Sequence, residues 1–211
     1  MARYIQPTCH LCRRVDNKLM LKGERCFTSK CVLEKRNNSK QMYRSTKRRR
    51  PRKSDRGLQL LEKQKARYTY GIMEKQFRRI FAEAERCSGV TGENLIVLLE
   101  RRLDNVVYRL GFAASRPQSR QIVRHGHIIL NGRKTDIPSC VVKSGDVISW
   151  REKSKKTEYF KVLIEEVEDR IVPGWLTMDK QEMIGRVVSL PALEDIEVKF
   201  NEKAIVEYYS R

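Results

Sequence analysis

Hydrophobic side chains recur every three or four residues over several stretches of this chain, which is the spacing of amphipathic helices. A first helix is predicted to begin after Ser54-Asp55 and to end at Tyr70-Gly71. One side of this helix carries Leu58, Leu61, Lys65 and Tyr68. A second helix follows, and its packing stripe consists of Phe77, Ile80, Phe81 and Ala84. We expect the rings of this stripe to lie in a protein core rather than to stack on bases.

A third helical stripe leads into a more polar helix. The stripe ends at Gly111, a natural helix terminator, and consists of Leu95, Leu98, Leu99, Leu103, Val106, Val107 and Leu110. In the polar helix, Ser115 and Gln118 form a capping-box pattern and Pro117 suits the first turn. Gly126 is expected to end it.

Three arginines on the polar helix are spaced by four residues. Arg116, Arg120 and Arg124 drift by only about 40° per step around the helix axis. They are therefore predicted to form one cationic ridge. The ridge is either an ordinary solvated face or a surface for phosphate.

The segment after this helix has the pattern of a twisted hairpin. The stretch 127–130 predicts a strand, and Asn131-Gly132 is the strongest short hairpin signal. A second turn at 143–146 leads into a strand from Val147 to Trp150. Helix, turn, helix and hairpin together predict a compact α+β module that displays a basic helix.

The charge of the chain is unevenly distributed. The 211 residues carry a formal net charge of +19, and residues 1–56 hold 18 Lys and Arg against 4 Asp and Glu. Residues 152–211 reverse the sign, with 10 against 13. A chain polarised in this way is suited to lie with its basic part against a polyanion. We expect the acidic part to face solvent or a basic partner protein, through Glu165, Glu166, Glu168 and Asp169.

The sequence shows no membrane-targeting pattern. No apolar run approaches the roughly 18–20 residues of a membrane span, and the first residues lack the apolar core of a signal peptide. A reducing, cytoplasmic compartment is therefore expected, which argues against disulfides among the six cysteines.

Four cysteines near the N-terminus have the spacing of a metal site. Cys9 and Cys12 enclose two residues, Cys26 and Cys31 enclose four, and thirteen residues separate the pairs. Four thiolates can bind one tetrahedral Zn²⁺ at about 2.3 Å, and an iron–sulfur cluster at the same four cysteines is the alternative. Unpaired thiols in a basic arm are the remaining interpretation. Cys87 and Cys140 stand apart and are expected to be small buried side chains.

A dense cationic run follows the cysteines, from Lys47 to Lys53. Such runs are often flexible tails or import signals. Because this one joins two segments with folded patterns, we expect it to neutralise phosphates, for which the arginine fork is well suited.

The order of these elements resembles the S-four RNA-binding domain. The run from Arg102 to Phe112 resembles the bacterial small-subunit ribosomal protein S-four family. The resemblance to the zinc-containing form of that family extends over almost the whole chain, through Arg3-Tyr4, the cysteine set, residues 21–26, residues 62–65, Tyr70-Gly71 and residues 208–211. Departures from the family's usual residues occur at Arg56, Met73, Ser119 and Cys140, and none removes a cation or a ligand cysteine.

The resemblance implies an α+β protein of three parts. Residues 1–45 are the basic, cysteine-ligated metal arm, and residues 46–94 are a helical domain completed by residues 196–211. Residues 95–195 are the S-four RNA-binding domain with an acidic C-terminal part. Asn201 is expected to cap a final helix that packs back on the helical domain, although Ala204-Ile205-Val206 would also permit a strand.

The resemblance also implies a function. The family's members are structural constituents of the small ribosomal subunit that bind its RNA directly and early in assembly, and they help to form the messenger entry and decoding-accuracy region. Neighbouring small-subunit proteins are expected on the acidic part, and messenger RNA is a further partner. The residues expected to contact RNA are Arg3, Arg13, Arg14, Lys47, Arg48, Arg49, Arg50, Arg52, Lys53, Arg116, Arg120, Arg124, His125, Arg133 and Lys134.

Two other classes of protein share part of this pattern. The same RNA-binding module is attached to pseudouridine synthases and to some tRNA synthetases, which need a separate catalytic domain. No nucleophile–base pair or carboxylate pair marks such a domain here, and Asp104 has the setting of a structural residue. A zinc-dependent DNA-binding regulator would need a recognition helix after the metal site, and none follows at that spacing. We therefore expect no catalytic residues.

Overall fold

The computed structural model describes residues 4–35, 53–167, 171–196 and 200–210. It divides into two compact units. Unit one contains residues 1–81 and 198–211, and unit two contains residues 82–197. Helices dominate unit one, and unit two combines helices with a small antiparallel sheet, so the α+β prediction is confirmed.

The helices of unit one begin and end at residues that suit helix termini. They are α1 Cys9–Val15, a 3-10 turn Gly23–Cys26, α2 Asp55–Thr69, α3 Glu74–Arg86, in which the division between the units falls, and the final helix α9 Glu202–Tyr209. Ser54 caps α2, because its hydroxyl accepts from the Gly57 N–H at 3.3 Å. Gly71, at φ +63°, follows the end of α2 in a left-handed conformation.

The final helix packs against α2, as predicted. Asn201 caps it by accepting from the Ala204 N–H at 3.2 Å. The Gln59 amide donates to Glu207 at 2.8 Å, and the rings of Phe81 and Tyr209 lie 4.5 Å apart. The alternative of a C-terminal strand is therefore wrong.

The buried side of α2 differs from the predicted stripe. Its buried residues are Gln59, Lys63, Ala66 and Thr69, whereas Leu58 is 48% exposed. The hydrophobic periodicity did not predict this side because α9 covers a polar side of α2. There the Lys63 ammonium is paired with Glu74 at 2.9 Å. The partly buried Leu61 and Tyr68 pack instead on a small core of the N-terminal arm.

This arm has an apolar core of its own. The core consists of Leu11, Val15, Leu19 and Leu21. Burial of these side chains stabilises the fold of the arm independently of any ion.

Unit two contains the remaining elements. Its helices are α4 Thr91–Glu100, α5 Leu103–Arg109, α6 Arg116–Arg124, α7 Glu152–Lys155 and α8 Glu158–Val167, with a 3-10 turn at Leu193–Asp195. Its strands are β1 Ile128–Leu130, β2 Arg133–Lys134, β3 Val147–Trp150, β4 Leu176–Asp179 and β5 Ile184–Val187. The strand order is β2-β1-β3-β5-β4, and every pair is antiparallel.

The predicted continuous helix from Leu95 to Leu110 is broken at 101–102. Arg102 is extended, with φ −69° and ψ 136°, and it forms an isolated β-bridge with Val141. The N–H groups that begin α5 are satisfied from outside the helix, because Leu103 donates to the Cys140 carbonyl at 2.8 Å. The hydrophobic spacing survives the break, which is why the sequence did not reveal it.

One face of the sheet forms part of the unit-two core. Asn131 and Gly132 have φ values of 50° and 77°, so the predicted hairpin has a type I′ turn. The predicted strand into Trp150 is also confirmed. The core joins the sheet to α5, α6 and α8 through large buried side chains that include Leu103, Leu110, Phe112, Ile128, Ile148, Trp150, Phe160, Leu163 and Trp175.

The two lone cysteines behave differently from each other. Cys140 is half-buried and packs against the unit-two core, but Cys87 is exposed, so the prediction that it would be buried is wrong. Among the described residues, no helix is both long and apolar enough to cross a membrane.

Candidate nucleic-acid interface

The basic helix α6 is anchored at its start by polar contacts. Ser115 occupies the N-cap position, but its side chain makes no capping bond, so the predicted capping box is wrong in detail. Gln118 instead accepts from the N–H of Ala114 at 2.9 Å, one residue before the cap. The hydroxyl of Ser119 donates to the Asp104 carbonyl, which ties α6 to α5.

Arg116 points into a buried acidic site rather than along an open ridge. Its Nε donates to Asn105 at 2.8 Å, and its Nη2 lies 3.7 Å from Glu100. The Glu100 carboxylate is fully buried and also receives two bonds from Arg109, at 2.9 and 3.0 Å. The Arg116 guanidinium stacks over the ring of Tyr108 at 4.6 Å.

Arg120 is held by a second buried carboxylate. Its Nη1 lies 2.8 Å from Asp104, which also forms a bidentate pair with Arg102 at 3.1 and 2.9 Å. Burial lowers the pKa of Arg120, and the neighbouring charge of Asp104 opposes that shift. Since an arginine stays protonated in proteins, the pair remains ionic. Asp104 is therefore structural, as predicted.

The three arginines of α6 consequently do not form one open ridge. The side chains of Arg116 and Arg120 are only 15% and 14% exposed, because the facing acids of α4 and α5 bind them. Arg124 is exposed at the end of the helix. That all three arginines contact RNA stays a prediction. Arg116 and Arg120 would contact it while they belong to a half-buried ion network.

Exposed basic side chains lie at the end of α6 and in the hairpin that follows it. The group consists of Arg124, His125, Arg133 and Lys134, and we call it the basic edge. The helix ends at Gly126, whose φ of +73° allows a left-handed C-cap. A methyl group placed on Gly126 would lie 2.4 Å from Cε of Lys134, so the hairpin lysine lies directly over the end of the helix. Two chain segments thus bring their cations together.

Unit one presents further predicted RNA contacts. Arg13 and Arg14 in the last turn of α1 are exposed, and so is Lys53 before α2. The other predicted contacts in the N-terminal quarter lie outside the described residues: Arg3, Lys47, Arg48, Arg49, Arg50 and Arg52.

The four predicted ligand cysteines lie in one neighbourhood. Cys9 and Cys12 are in α1, Cys26 ends the 3-10 turn, and Cys31 follows it. Burial raises the pKa of the Cys12 thiol, and the charges of the other three cysteine sulfurs raise it further. The N–H of Lys22 donates to the Cys26 sulfur at 3.4 Å.

Among the described residues, no group of three or more His, Cys, Asp or Glu side chains is arranged to hold a metal ion. The donor chemistry of four neighbouring thiols fits Zn²⁺.

The sequence did not identify the acids that organise this site. Glu100 and Asp104 are spaced by four residues among the arginines of the α4–α5 region, and this alternation of charge was the available signal. The apolar stripe around both acids indicates a simple packing helix and gives no sign of their arginine partners. On the acidic part, Glu165 is exposed as expected, whereas Glu168, Asp169 and the side chain of Glu166 lie outside what the structure describes.

Two sequence families match this chain. Residues 3–100 match the family model described as ribosomal protein S4/S9 N-terminal domain, and residues 101–148 match the S4 domain. The chain is 52% identical over 212 residues to small ribosomal subunit protein uS4 of Dehalococcoides mccartyi strain CBDB1. It is 54% identical over 211 residues to the uS4 proteins of Geotalea uraniireducens strain Rf4 and of Thermoanaerobacter sp. strain X514. Each alignment covers 100% of this chain and 100% of the relative.

Proposed function

This chain belongs to the uS4 family of small ribosomal subunit proteins, and from that premise we propose that it is a structural, non-catalytic constituent of the small ribosomal subunit. It binds the small-subunit ribosomal RNA directly. The observation that carries this proposal is the full-length similarity to uS4 proteins, and the exposed basic edge on the matched S4 domain supplies a surface for the RNA.

The chemistry of the basic edge favours recognition of RNA by shape and backbone. Its cations extend from the end of a helix and from a type I′ hairpin, so regular backbone fixes their points of attachment before binding. Ion pairs to Glu100 and Asp104 hold α6 in place. A preorganised set of cations can match the phosphate spacing of a folded RNA at little entropic cost.

The test is a binding experiment with the full chain and a folded transcript of the small-subunit ribosomal RNA. We expect tighter binding to this transcript than to duplex DNA or heparin. The logarithm of the binding constant should fall linearly with the logarithm of the salt concentration, by roughly 0.7–0.9 for each phosphate neutralised. Equal affinity for the folded transcript and for heparin would contradict the proposal.

The finer role that we propose is early assembly. A protein whose RNA surface lies on its own folded domain needs no earlier protein in order to bind, which supports direct entry into the assembling subunit. We further propose that it helps to form the messenger entry and decoding-accuracy region and contacts messenger RNA there. Stepwise reconstitution tests the order: the protein should bind protein-free ribosomal RNA, and a requirement for another small-subunit protein would contradict early entry.

We propose that neighbouring small-subunit proteins dock on the acidic C-terminal part. Helix α8 supports this, because its exposed surface combines the apolar Val162 and Ile164 with the acidic Glu158 and Glu165. Exposed apolar side chains among acidic ones are typical of a surface that binds a basic partner protein. Replacing Val162 and Ile164 with serine should reduce retention of a neighbouring protein in reconstituted subunits without weakening RNA binding.

We also propose that Cys9, Cys12, Cys26 and Cys31 together bind one Zn²⁺, with an iron–sulfur cluster as the alternative. Support comes from the spacing of the two pairs and from the placement of the cysteines in α1, in the 3-10 turn and after it. The ion would cross-link α1 to the 3-10 turn, in addition to the apolar core of the arm. Elemental analysis of the purified protein should find one zinc per chain, and a content of neither zinc nor iron would contradict the proposal.

A further inference from the structure

Unit two contains a cavity beside the basic edge that none of the roles above uses. Its volume is about 320 Å³, and it opens between α6, the end of β3 and the start of α8. This volume is at the lower end of the ~300–1,000 Å³ typical of ligand pockets. It leaves room for one flat heterocycle with a few waters.

Aromatic side chains form much of the wall. Four rings follow one another around it: His125 and His127 have centroids 5.9 Å apart, His127 and Trp150 6.3 Å, and Trp150 and Tyr159 6.2 Å. Trp150 is 2% exposed and forms the floor, whereas His125 and Tyr159 are exposed at the rim. An exposed ring beside a partly open cavity is the arrangement with which proteins stack unpaired bases.

The rings are fixed in position by hydrogen bonds made on the side of the protein. The Tyr159 hydroxyl donates to the Phe112 carbonyl at 3.0 Å, and Nδ1 of His127 lies 2.9 Å from the Ser154 hydroxyl. Both rings line the cavity, and Tyr159 is 36% exposed at its rim. A preorganised wall loses little side-chain entropy on binding.

Two amide side chains of α6 supply polar groups for the edge of an occupant. Gln118 and Gln121 line the cavity, and Gln121 is exposed. The Gln118 oxygen already accepts from the Ala114 N–H, so its amino group is the part left to donate. Amides of this kind pair with the donor and acceptor edges of bases.

We propose that this cavity receives one unpaired nucleobase of the bound RNA, stacked against Tyr159 and read at its edge by Gln121. The assignment rests on the proposed function and deepens it. His125 belongs both to the cavity rim and to the basic edge, so a nucleotide whose phosphate lies on that edge has its base beside the opening. The neighbouring cations favour a nucleotide over the side chain of a partner protein as the occupant.

The experiment compares variants of the full chain for binding to the folded ribosomal transcript across a salt series. Tyr159→Ala removes the ring, and Tyr159→Phe keeps it without the hydroxyl. Val188→Ala is the control, since Val188 is 54% exposed in unit two and does not line the cavity. Gln121→Ala is a second cavity variant at an exposed position, for which misfolding is not expected. Thermal unfolding of each variant checks the fold.

We expect Tyr159→Ala to weaken binding by on the order of tenfold, as loss of one stacked base does. Gln121→Ala should weaken it severalfold. Tyr159→Phe should weaken it less than Tyr159→Ala does, because the ring remains, and Val188→Ala should bind like the unaltered protein. The slope of the salt dependence should stay unchanged in all four, because a neutral contact releases no counterions. Ultraviolet irradiation of the complex should attach a nucleotide to the peptide that carries Tyr159 or His125.

Unchanged affinity of folded Tyr159→Ala and Gln121→Ala would overturn the cavity assignment and leave the proposed function intact. Variants that bind RNA normally but are lost from reconstituted subunits would show that a protein segment fills the cavity, which also overturns it. If the unaltered protein shows no preference for the folded transcript, the proposed function itself fails.

Discussion

Glu74 is the group whose replacement tests the energetics of unit one most directly. Its carboxylate lies 2.9 Å from the Lys63 ammonium and 2.7 Å from the Arg67 guanidinium, and it accepts from the Tyr209 hydroxyl at 3.0 Å. The Lys63 side chain is only 5% exposed. Glu74→Gln therefore keeps the shape of the side chain and leaves a buried ammonium without its counter-charge.

The size of the effect follows from the ionisation of Glu74. Burial by itself would raise the pKa of this carboxyl, but the bonds and charges of Lys63, Tyr209 and Arg67 outweigh it and lower the pKa from 4.5 to about 2. Each tenfold change in an ionisation equilibrium corresponds to about 1.36 kcal/mol, so the shift is equivalent to about 3 kcal/mol. Because the Glu74 side chain is 31% exposed, solvent screening weakens these interactions. We therefore expect Glu74→Gln to lower the free energy of unfolding by about 2 kcal/mol.

The sign of the pH dependence is fixed by the same shift. A carboxyl whose pKa is lower in the folded state stabilises that state fully above its unfolded value of 4.5. The contribution is lost as the pH falls through the folded value of about 2. The stability difference between the unaltered protein and Glu74→Gln should therefore be largest from pH 5 to 7 and shrink steadily between pH 4.5 and 2.

Urea unfolding at pH 7, 5 and 3 measures this difference as a change in the free energy of unfolding. Glu83→Gln is the control, because Glu83 is an exposed carboxylate on the same helix α3. It should change the free energy of unfolding by less than about 0.5 kcal/mol. A difference for Glu74→Gln that is no larger than the control, or that does not vary with pH, would refute the assignment of Glu74 as the counter-charge of Lys63.

Three further substitutions test unit two. Gly185→Ala would place a methyl group 2.4 Å from Cδ1 of Leu110, so thermal unfolding should reveal a loss of about 1–3 kcal/mol; an unchanged midpoint would contradict that packing. Asp104→Asn leaves the buried Arg102 unpaired and should cost about 3–5 kcal/mol in urea, and a cost below 1 kcal/mol would count against the ion network. Arg124→Ala should flatten the salt slope of RNA binding by roughly 0.7–0.9 without lowering stability; an unchanged slope would exclude a phosphate contact.

Local signals predicted the elements whose ends depend on neighbouring residues. Ser54 and Asn201 cap their helices because a side-chain oxygen reaches an N–H three residues away, a contact that needs no tertiary structure. The hairpin at Asn131-Gly132 was equally local, since both residues tolerate positive φ. These parts of the fold could be predicted from the sequence.

Features set by distant segments could not be predicted. The break before Leu103 depends on a carbonyl at Cys140, which lies far along the chain. The burial of Arg116 depends on Glu100 of another helix, so the arginine spacing alone could not distinguish an open ridge from an ion network. The cavity near Trp150 likewise draws its walls from α6, β3 and α8, and no sequence pattern marks it.

The internal pairing of arginines changes how the formal charge of this protein should be used. If all 45 Lys and Arg side chains faced solvent, each would attract mobile anions. Arg102 and Arg120 already have a carboxylate of Asp104 beside them, so few small anions accompany them before any RNA arrives. Titration with salt should therefore report fewer displaced ions than the number of basic residues suggests, and the internal arginine–carboxylate pairs account for part of the shortfall.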